Sequence, residues 1–493
     1  MITILTTTNY KSAISEVIGS IDRLNELITI ITNSDDVNST SKLLIVADNL
    51  INVAIDWHDT EPPYVFPKIN FTSENLLGLV FYKLGNQQKA FEFLSEENIL
   101  YHHLLTATNL QFGYNISDDI LIKTESLHNQ CIIHHYGNFA NKHNSQQLED
   151  LYSKAIENAE NDEIRIFTAK HYSNFLLDIS KFKESERLIR SVKEKAISPE
   201  AKNAIDIQLA SSLMAQLQLP HESEKLDEIA DLFEKGISFY ESNGQKINAG
   251  LLYVDASEIA NFKDDYTESK NLINKAILYF KEEDIPEFLG EAGLRKATLL
   301  YTWSKNGSPQ YYKPSINAFQ DTLKVFKRDT HPQKFADVHH NLALIYSEIP
   351  VSPEEKPIWT AFCASSFKEV LKFYTKENYP YEFAMARHNY ATALMSFPEA
   401  KLHNNLDKAF GMFEDALTVR TSLDYPFERA LTLINQLELY WLMHNEDSAE
   451  ESKKYNTMLV KANEIKELVK DNVLIEKANE HLEALRKLKT VLN

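Results

Sequence analysis

The chain of 493 residues contains only 12 glycines, about 2% against the roughly 7% of average soluble proteins, so it favours helices joined by short turns over glycine-rich strands and loops. No two glycines are separated by a single residue and none stands in a Gly-Lys-Ser/Thr triplet, which excludes the G-x-G-x-x-G dinucleotide loop and the P-loop. A net charge of −20 disfavours phosphate backbones and anionic lipid as partners, and two cysteines, Cys131 and Cys363, make neither a disulfide framework nor a zinc site.

In chain order, Met1 to Lys11 has no basic leader and too short an apolar run for an export signal. No apolar stretch approaches the roughly 20 residues a bilayer requires, so a cytoplasmic, membrane-free setting is expected. Tyr10 to Thr32 and Ser41 to Trp57 have helical periodicity, and Glu61-Pro-Pro-Tyr-Val-Phe-Pro67 then breaks any helix. Residues 1–70 are expected to be an N-terminal helical cap with a proline-rich linker. Residues 71–445 read as repeats. Pro332, Pro380 and Pro426 each begin the pattern P-x-x-x-A-x-x-x-x-N, and Pro286, Lys246 and Pro199 fit the same frame, at intervals of 47, 40, 46, 48 and 46 residues. Proline suits a first helical turn and forces the residue before it out of the α region, so each anchor ends one helix and starts the next. Amphipathic runs such as Phe319 to Phe326, Phe367 to Tyr374 and Phe410 to Val419 precede the anchors. The unit is therefore a helix pair, and stacked pairs form a solenoid. The connections within pairs, Thr302 to Lys313, Ile349 to Pro357 and Phe397 to Asn405, are expected to be long loops. Residues 446–493 read as C-terminal capping helices, with nine Lys/Arg against ten Asp/Glu.

The chain resembles the tetratricopeptide-repeat family. Leu77-Gly78 with Phe81, then Ala90 and Leu94, match one standard repeat. Leu342-Ala343 with Tyr346 match its first helix, and Ala409, Phe413 and Ala416 its second. The repeats here exceed the usual 34 residues. The stretch Phe373 to Pro380, through Ala384-Met385 to Asn389, is also similar to repeats that accompany caspase-like CHAT proteases in bacteria. The resemblance implies an all-α, right-handed superhelical solenoid of helix pairs and a non-enzymatic protein- or peptide-binding or regulatory module without a cofactor. It also implies an alternative: a ligand-responsive sensor controlling a separate effector, such as a caspase-like protease in bacterial antiviral defence.

The polar column nine residues after each anchor comprises Gln208, Asp255, Arg295, Asn341, Asn389 and Asn435, with Asn129 and His171 in looser register. His340 and His388 lie beside it and complete the candidate partner-binding set. In the family that this resembles, the column faces the concave groove, where Asn holds an extended peptide. The competing reading is that these groups bond neighbouring helices inside the stack, and that reading is slightly favoured. The adjacent pairs His102-His103, His134-His135 and His339-His340 diverge by about 100° on a helix and do not suit a shared metal. No G-x-S-x-G elbow occurs, and Cys363 sits at a small core position. A dyad of Cys131 with His134 or His135 would lack an oxyanion hole. Tyr311, Tyr312, Trp359 and Trp441 are candidate interface anchors.

Overall fold

Aliphatic and β-branched runs at the start of the chain form strands in the computed structural model, which describes residues 1–37, 42–137, 144–195, 197–398, 404–444 and 447–492. Strands β1 (Ile2–Thr6), β2 (Ile28–Ile31), β3 (Leu43–Ala47), β4 (Leu50–Val53) and β5 (Ile69–Asn70) form one sheet in the order β2-β1-β3-β4-β5. The first strand runs parallel to β2 and β3, whereas β4 is antiparallel to both of its neighbours. This corrects the expected N-terminal helical cap, since α1 (Thr8–Gly19) is the only α-helix among the described residues before Ser73. Short runs of Ile, Leu, Val and Thr such as these cannot be told from a helix segment by periodicity alone. Asp48 and Asn49, both at positive φ, make the tight β3–β4 turn that such a residue pair favours.

The chain divides into two compact units, Met1–Tyr279 and Phe280–Asn493. In the first, the sheet shares a core with the helices that follow. Ile2, Ile4, Leu44, Val46 and Ile51 pack with Leu76, Leu77, Val80, Leu100 and Leu104. Helix pairs then succeed one another. They are α2 (Ser73–Lys83) with α3 (Gln87–Glu92), α4 (Ile99–Phe112) with α5 (Asp118–Lys123), and α6 (Leu127–Tyr136) with α7 (Ser145–Glu157). Next come α8 (Asp162–Asp178) with α9 (Phe182–Lys193), α10 (Pro199–Met214) with α11 (Ser223–Ser242), and α12 (Lys246–Phe262) with α13 (Tyr266–Glu282).

The second unit continues with α14 (Pro286–Lys305) and α15 (Tyr312–Thr322), α16 (Pro332–Glu348) and α17 (Lys356–Phe373), then α18 (Pro380–Met395) and α19 (Asn405–Leu417). Helices α20 (Pro426–Leu442), α21 (Ser448–Leu468) and α22 (Asn472–Leu492) complete it. All six anchors are first residues of helices. The residues before the later prolines, His331, Tyr379 and Tyr425, share φ near −138° and ψ near 60°, the departure from helical backbone that proline enforces. The connection after α14 is shorter than expected, because burial of Trp303 carries that helix on to Lys305. Part of the Phe397 to Asn405 connection lies outside the described residues.

Small residues set how closely the helices approach. A Cβ on Gly290 would lie 2.7 Å from Cζ of Phe326 and 3.0 Å from Cγ1 of Val325, whereas one on Gly411 meets nothing within 4 Å. Gly290→Ala is expected to lower stability by about 1–2 kcal/mol, because overpacking exceeds the gain in helix propensity. Gly411→Ala should raise it by about 0.5–1 kcal/mol, and urea midpoints of the two variants should therefore move in opposite directions.

Candidate functional site

Proline-broken and unable to form a helix, residues 56–67 cross the first helices of successive repeats in unit 1. Asn129, on α6, grips the backbone of Val65 in both directions: its Oδ1 accepts from the Val65 N–H at 2.9 Å and its Nδ2 donates to the Val65 carbonyl at 2.7 Å. One turn position earlier, His128 Nε2 lies 2.9 Å from the carbonyl of Pro63. A carbonyl only accepts, so Nε2 carries the proton and Nδ1 is left to the Thr168 hydroxyl at 2.9 Å. Burial holds the His128 imidazole neutral, lowering its pKa to about 4.

Side chains of the segment meet the same helices. Lys83 of α2 pairs with Glu61 at 2.5 Å, and Lys170 of α8 with Asp59 at 2.6 Å. The Tyr64 hydroxyl and His103 Nδ1 of α4 are 2.7 Å apart. Trp57 packs edge-on against Phe167, and Phe66 against Tyr82. Extended polypeptide thus lies on the helix face, recognised through its backbone and its carboxylates.

The predicted column is distributed among several environments. Gln208 is buried and donates to Ser173 Oγ at 2.9 Å, in a hydroxyl network that continues through Ser185 to Ser212. Asp255 and Arg295 are half-buried. In unit 2, Asn389 Nδ2 donates to His340 Nε2 at 2.9 Å. One repeat further on, Asn435 Nδ2 makes the same approach to His388 Nε2 at 3.3 Å and donates to Thr392 Oγ1 at 2.9 Å. The eighth residue after one anchor therefore meets the ninth after the next. Asn341 has Leu294 at that place in the preceding repeat, so its amide turns to the Asp337 carbonyl of its own helix. His388 Nδ1 faces Thr432 Oγ1, which also accepts from Arg420 at 2.8 Å. Burial lowers the pKa of His340 to about 4 and, with Arg420 adding to the effect, that of His388 to about 3. Asn341, His388, Asn389 and Asn435 keep partial solvent exposure, whereas His340 is buried.

Among the other candidates, Cys131 and Cys363 lie in apolar cores, and burial pushes the Cys363 thiol up to about 12. His135 faces Tyr152 and Asp178, not a cysteine. Tyr312 is buried, and Trp441 donates to His481 at 3.0 Å. Among the described residues no three His, Cys, Asp or Glu side chains converge as a metal site, and no helix is long and apolar enough to cross a membrane. Sequence reasoning missed Lys83, Lys170 and the segment facing them. The available signal was Asp59-x-Glu61 followed by two prolines, a charged stretch that could be neither helix nor strand.

From Ser73 onward the described residues form the successive helix pairs of a helical solenoid, and the five-stranded sheet precedes them in the chain. No protein-family model matches the chain, and no curated protein does. Among solved structures it is similar to the apo form of the quorum sensor NprR from B. thuringiensis, with 14% identity, 74% of this chain and 97% of that chain covered, and a TM-score of 0.43. It is also similar to a STAND protein with a tetratricopeptide repeat sensor from Pyrococcus horikoshii, at 15% identity and a TM-score of 0.47, covering 82% of this chain but spanning only 60% of that one. A third likeness, at 15% identity, 85% and 90% coverage and a TM-score of 0.36, is to the human IFIT1 dimer with m7Gppp-AAAA.

Two outcomes are expected. Asn129→Ala leaves the Val65 N–H and carbonyl without their partner and should cost about 1–3 kcal/mol in urea unfolding. His340 and His388 are neutral in the fold, with pKa values below the ordinary 6.5. The unfolded chain takes up protons first as pH falls, so stability is lost from about pH 6.5 downward and levels off only near pH 3–4. Unfolding midpoints measured from pH 7 to 4 should fall less steeply for His340→Gln/His388→Gln than for the unsubstituted chain.

Proposed function

We propose that the chain is a non-enzymatic binding or regulatory module that holds a protein or peptide partner on the face made by the first helices of its repeats. The observation that carries this reading is the two-way grip of Asn129 on the Val65 backbone. It is a recognition of extended polypeptide that is independent of side-chain identity. The half-exposed members of the predicted column, Asp255, Arg295, Asn341, His388, Asn389 and Asn435, offer further hydrogen-bonding groups, with Gln208 and His340 supporting them from within the stack. The net charge of −20 speaks against nucleic acid as the partner of the chain alone.

A regulatory form of the same reading, a sensor controlling a separate effector such as a caspase-like protease in antiviral defence, is favoured by one feature. A segment of the chain itself already occupies part of the binding face, so partner engagement can be coupled to its release. Asn341 is the cleanest probe of the column, because its amide bonds only within its own helix among the contacts described. Affinity purification from the native organism with quantitative mass spectrometry should show partner recovery falling at least about ten-fold, or 1.4 kcal/mol, for Asn341→Ala. The melting temperature should stay within about 1 °C of the parent. A stable variant that recovers its partners undiminished would remove Asn341 from the interface.

A further inference from the structure

Each half-exposed asparagine of the unit 2 column has its amide nitrogen turned into the stack. Asn341 Nδ2 donates to the Asp337 carbonyl, Asn389 Nδ2 to His340 Nε2, and Asn435 Nδ2 to both His388 Nε2 and Thr392 Oγ1. The three Oδ1 atoms take no hydrogen bond among the described residues, and none of them is buried.

Neighbouring groups force this orientation at Asn435. The Thr432 hydroxyl gives its one proton to the Glu428 carbonyl at 2.9 Å and accepts from Arg420 at 2.8 Å, so towards His388 Nδ1, at 3.2 Å, it can only accept. The imidazole proton therefore sits on Nδ1, and Nε2 is an acceptor. The Thr392 hydroxyl is likewise committed to the His388 carbonyl at 3.0 Å and takes the second amide proton of Asn435. Both N–H groups are thus consumed inside the stack, and the carbonyl is left for the outside. His340 acts on Asn389 in the same way one repeat earlier. Burial keeps both rings neutral; Arg420 adds to this at His388, and burial acts alone at His340.

The uncompensated charge beside these residues is negative. Glu382 stands two turns before Asn389 and Glu438 one turn after Asn435, on the same helix faces, and neither carboxylate forms an ion pair among the described residues. Lys334, two turns before Asn341, is neutralised by Glu291 at 2.9 Å. A partner that brought carbonyls or carboxylates here would set acceptor against acceptor, whereas ammonium and guanidinium groups find oxygen atoms already turned towards them.

We infer that His340 and His388 are positioning residues that set the polarity of this face. By taking the amide protons of Asn389 and Asn435 they leave, with Asn341, three carbonyl acceptors in successive repeats, and the face thereby selects a partner protein whose contacting side chains are cationic hydrogen-bond donors. This rests on the reading that the first-helix face binds a protein partner.

Two measurements on the full chain test it. In the nitrogen NMR spectrum of histidine-labelled protein at neutral pH, with His340→Gln and His388→Gln supplying the assignments, both rings are expected to carry their proton on Nδ1 and none on Nε2. A proton on Nε2 of either ring would turn the neighbouring amide round and overturn the assignment. Selection is read by fluorescence anisotropy at physiological ionic strength with two labelled peptides, one alternating arginine and alanine, the other glutamate and alanine. The arginine probe should bind and the glutamate probe should not. Asn341→Leu/Asn389→Leu/Asn435→Leu removes the three carbonyls without changing charge and should weaken arginine-probe binding at least about ten-fold, which general attraction to a chain of net charge −20 does not explain. His340→Leu/His388→Leu should weaken it as well, and His340→Gln/His388→Gln, which keeps an acceptor facing each amide, should restore it. Arginine-probe affinity unchanged by the triple substitution, or equal weakening by leucine and glutamine at the histidines, overturns the inference. Should the leucine variants not fold, the nitrogen spectrum decides alone. Absence of arginine-probe binding while partner recovery still depends on Asn341 removes the selection and leaves the broader binding reading standing.

Discussion

An isolated pair of short helices exposes the apolar stripe it would need to bury, so every structured part of this chain depends on a neighbouring repeat to cover it. That constraint explains the composition. Alanine and glycine recur where helices approach, as at Gly78 against Leu94 and Gly290 against Phe326. Larger side chains such as Phe319, Phe367 and Phe413 fill the space between pairs and are fully buried. The terminal repeats face the same requirement. Helices α21 and α22 cover α20 through Met458, Ala462, Ile465, Ala478 and Leu482, and the N-terminal sheet covers the first pair.

Covering apolar surface also buries polar groups, and each must then find a partner. In unit 2 the result is a repeating contact in which the imidazole of one repeat accepts from the asparagine of the next. The series ends where Leu294 and Ile434 replace the imidazole. In unit 1, His128 and Asn129 meet the backbone of residues 63–65 instead, while Gln208 bonds Ser173 of a neighbouring helix. The same residue type at a similar place on the first helix thus bonds a neighbouring helix in one unit and an extended chain in the other. The two readings of the polar column are in this sense not exclusive.

The helix-pair repeat was legible because proline anchors and small-residue spacing are local signals with a local cause: a fixed φ, a missing donor and the size of a side chain. The five prolines among the six anchors begin helices for that reason, and Lys246 begins one without it. The strands at the start were not legible. Ile2–Thr6, Ile28–Ile31 and Leu43–Ala47 are short runs of aliphatic and β-branched residues, and pairing across 40 residues, as between Thr6 and Val46, leaves no periodic trace along the chain. Asn129 was noticed as a polar residue in loose register, but its partner at Val65 is 64 residues away.

The sequence by itself determined that most of this chain is a glycine-poor stack of helix pairs, where the helices at the six anchors begin, and that Glu61-Pro-Pro opens a segment unable to be helical. These follow from covalent geometry and from the cost of exposing an apolar stripe, both expressed within a few tens of residues. Only the tertiary structure decided that Lys83 and Lys170 face Glu61 and Asp59, that Asn129 holds Val65, and that burial keeps His340 and His388 neutral beside the asparagines of the next repeat. Those outcomes depend on burial and on distances between residues far apart in the chain, and side-chain identity does not specify them until the repeats have stacked.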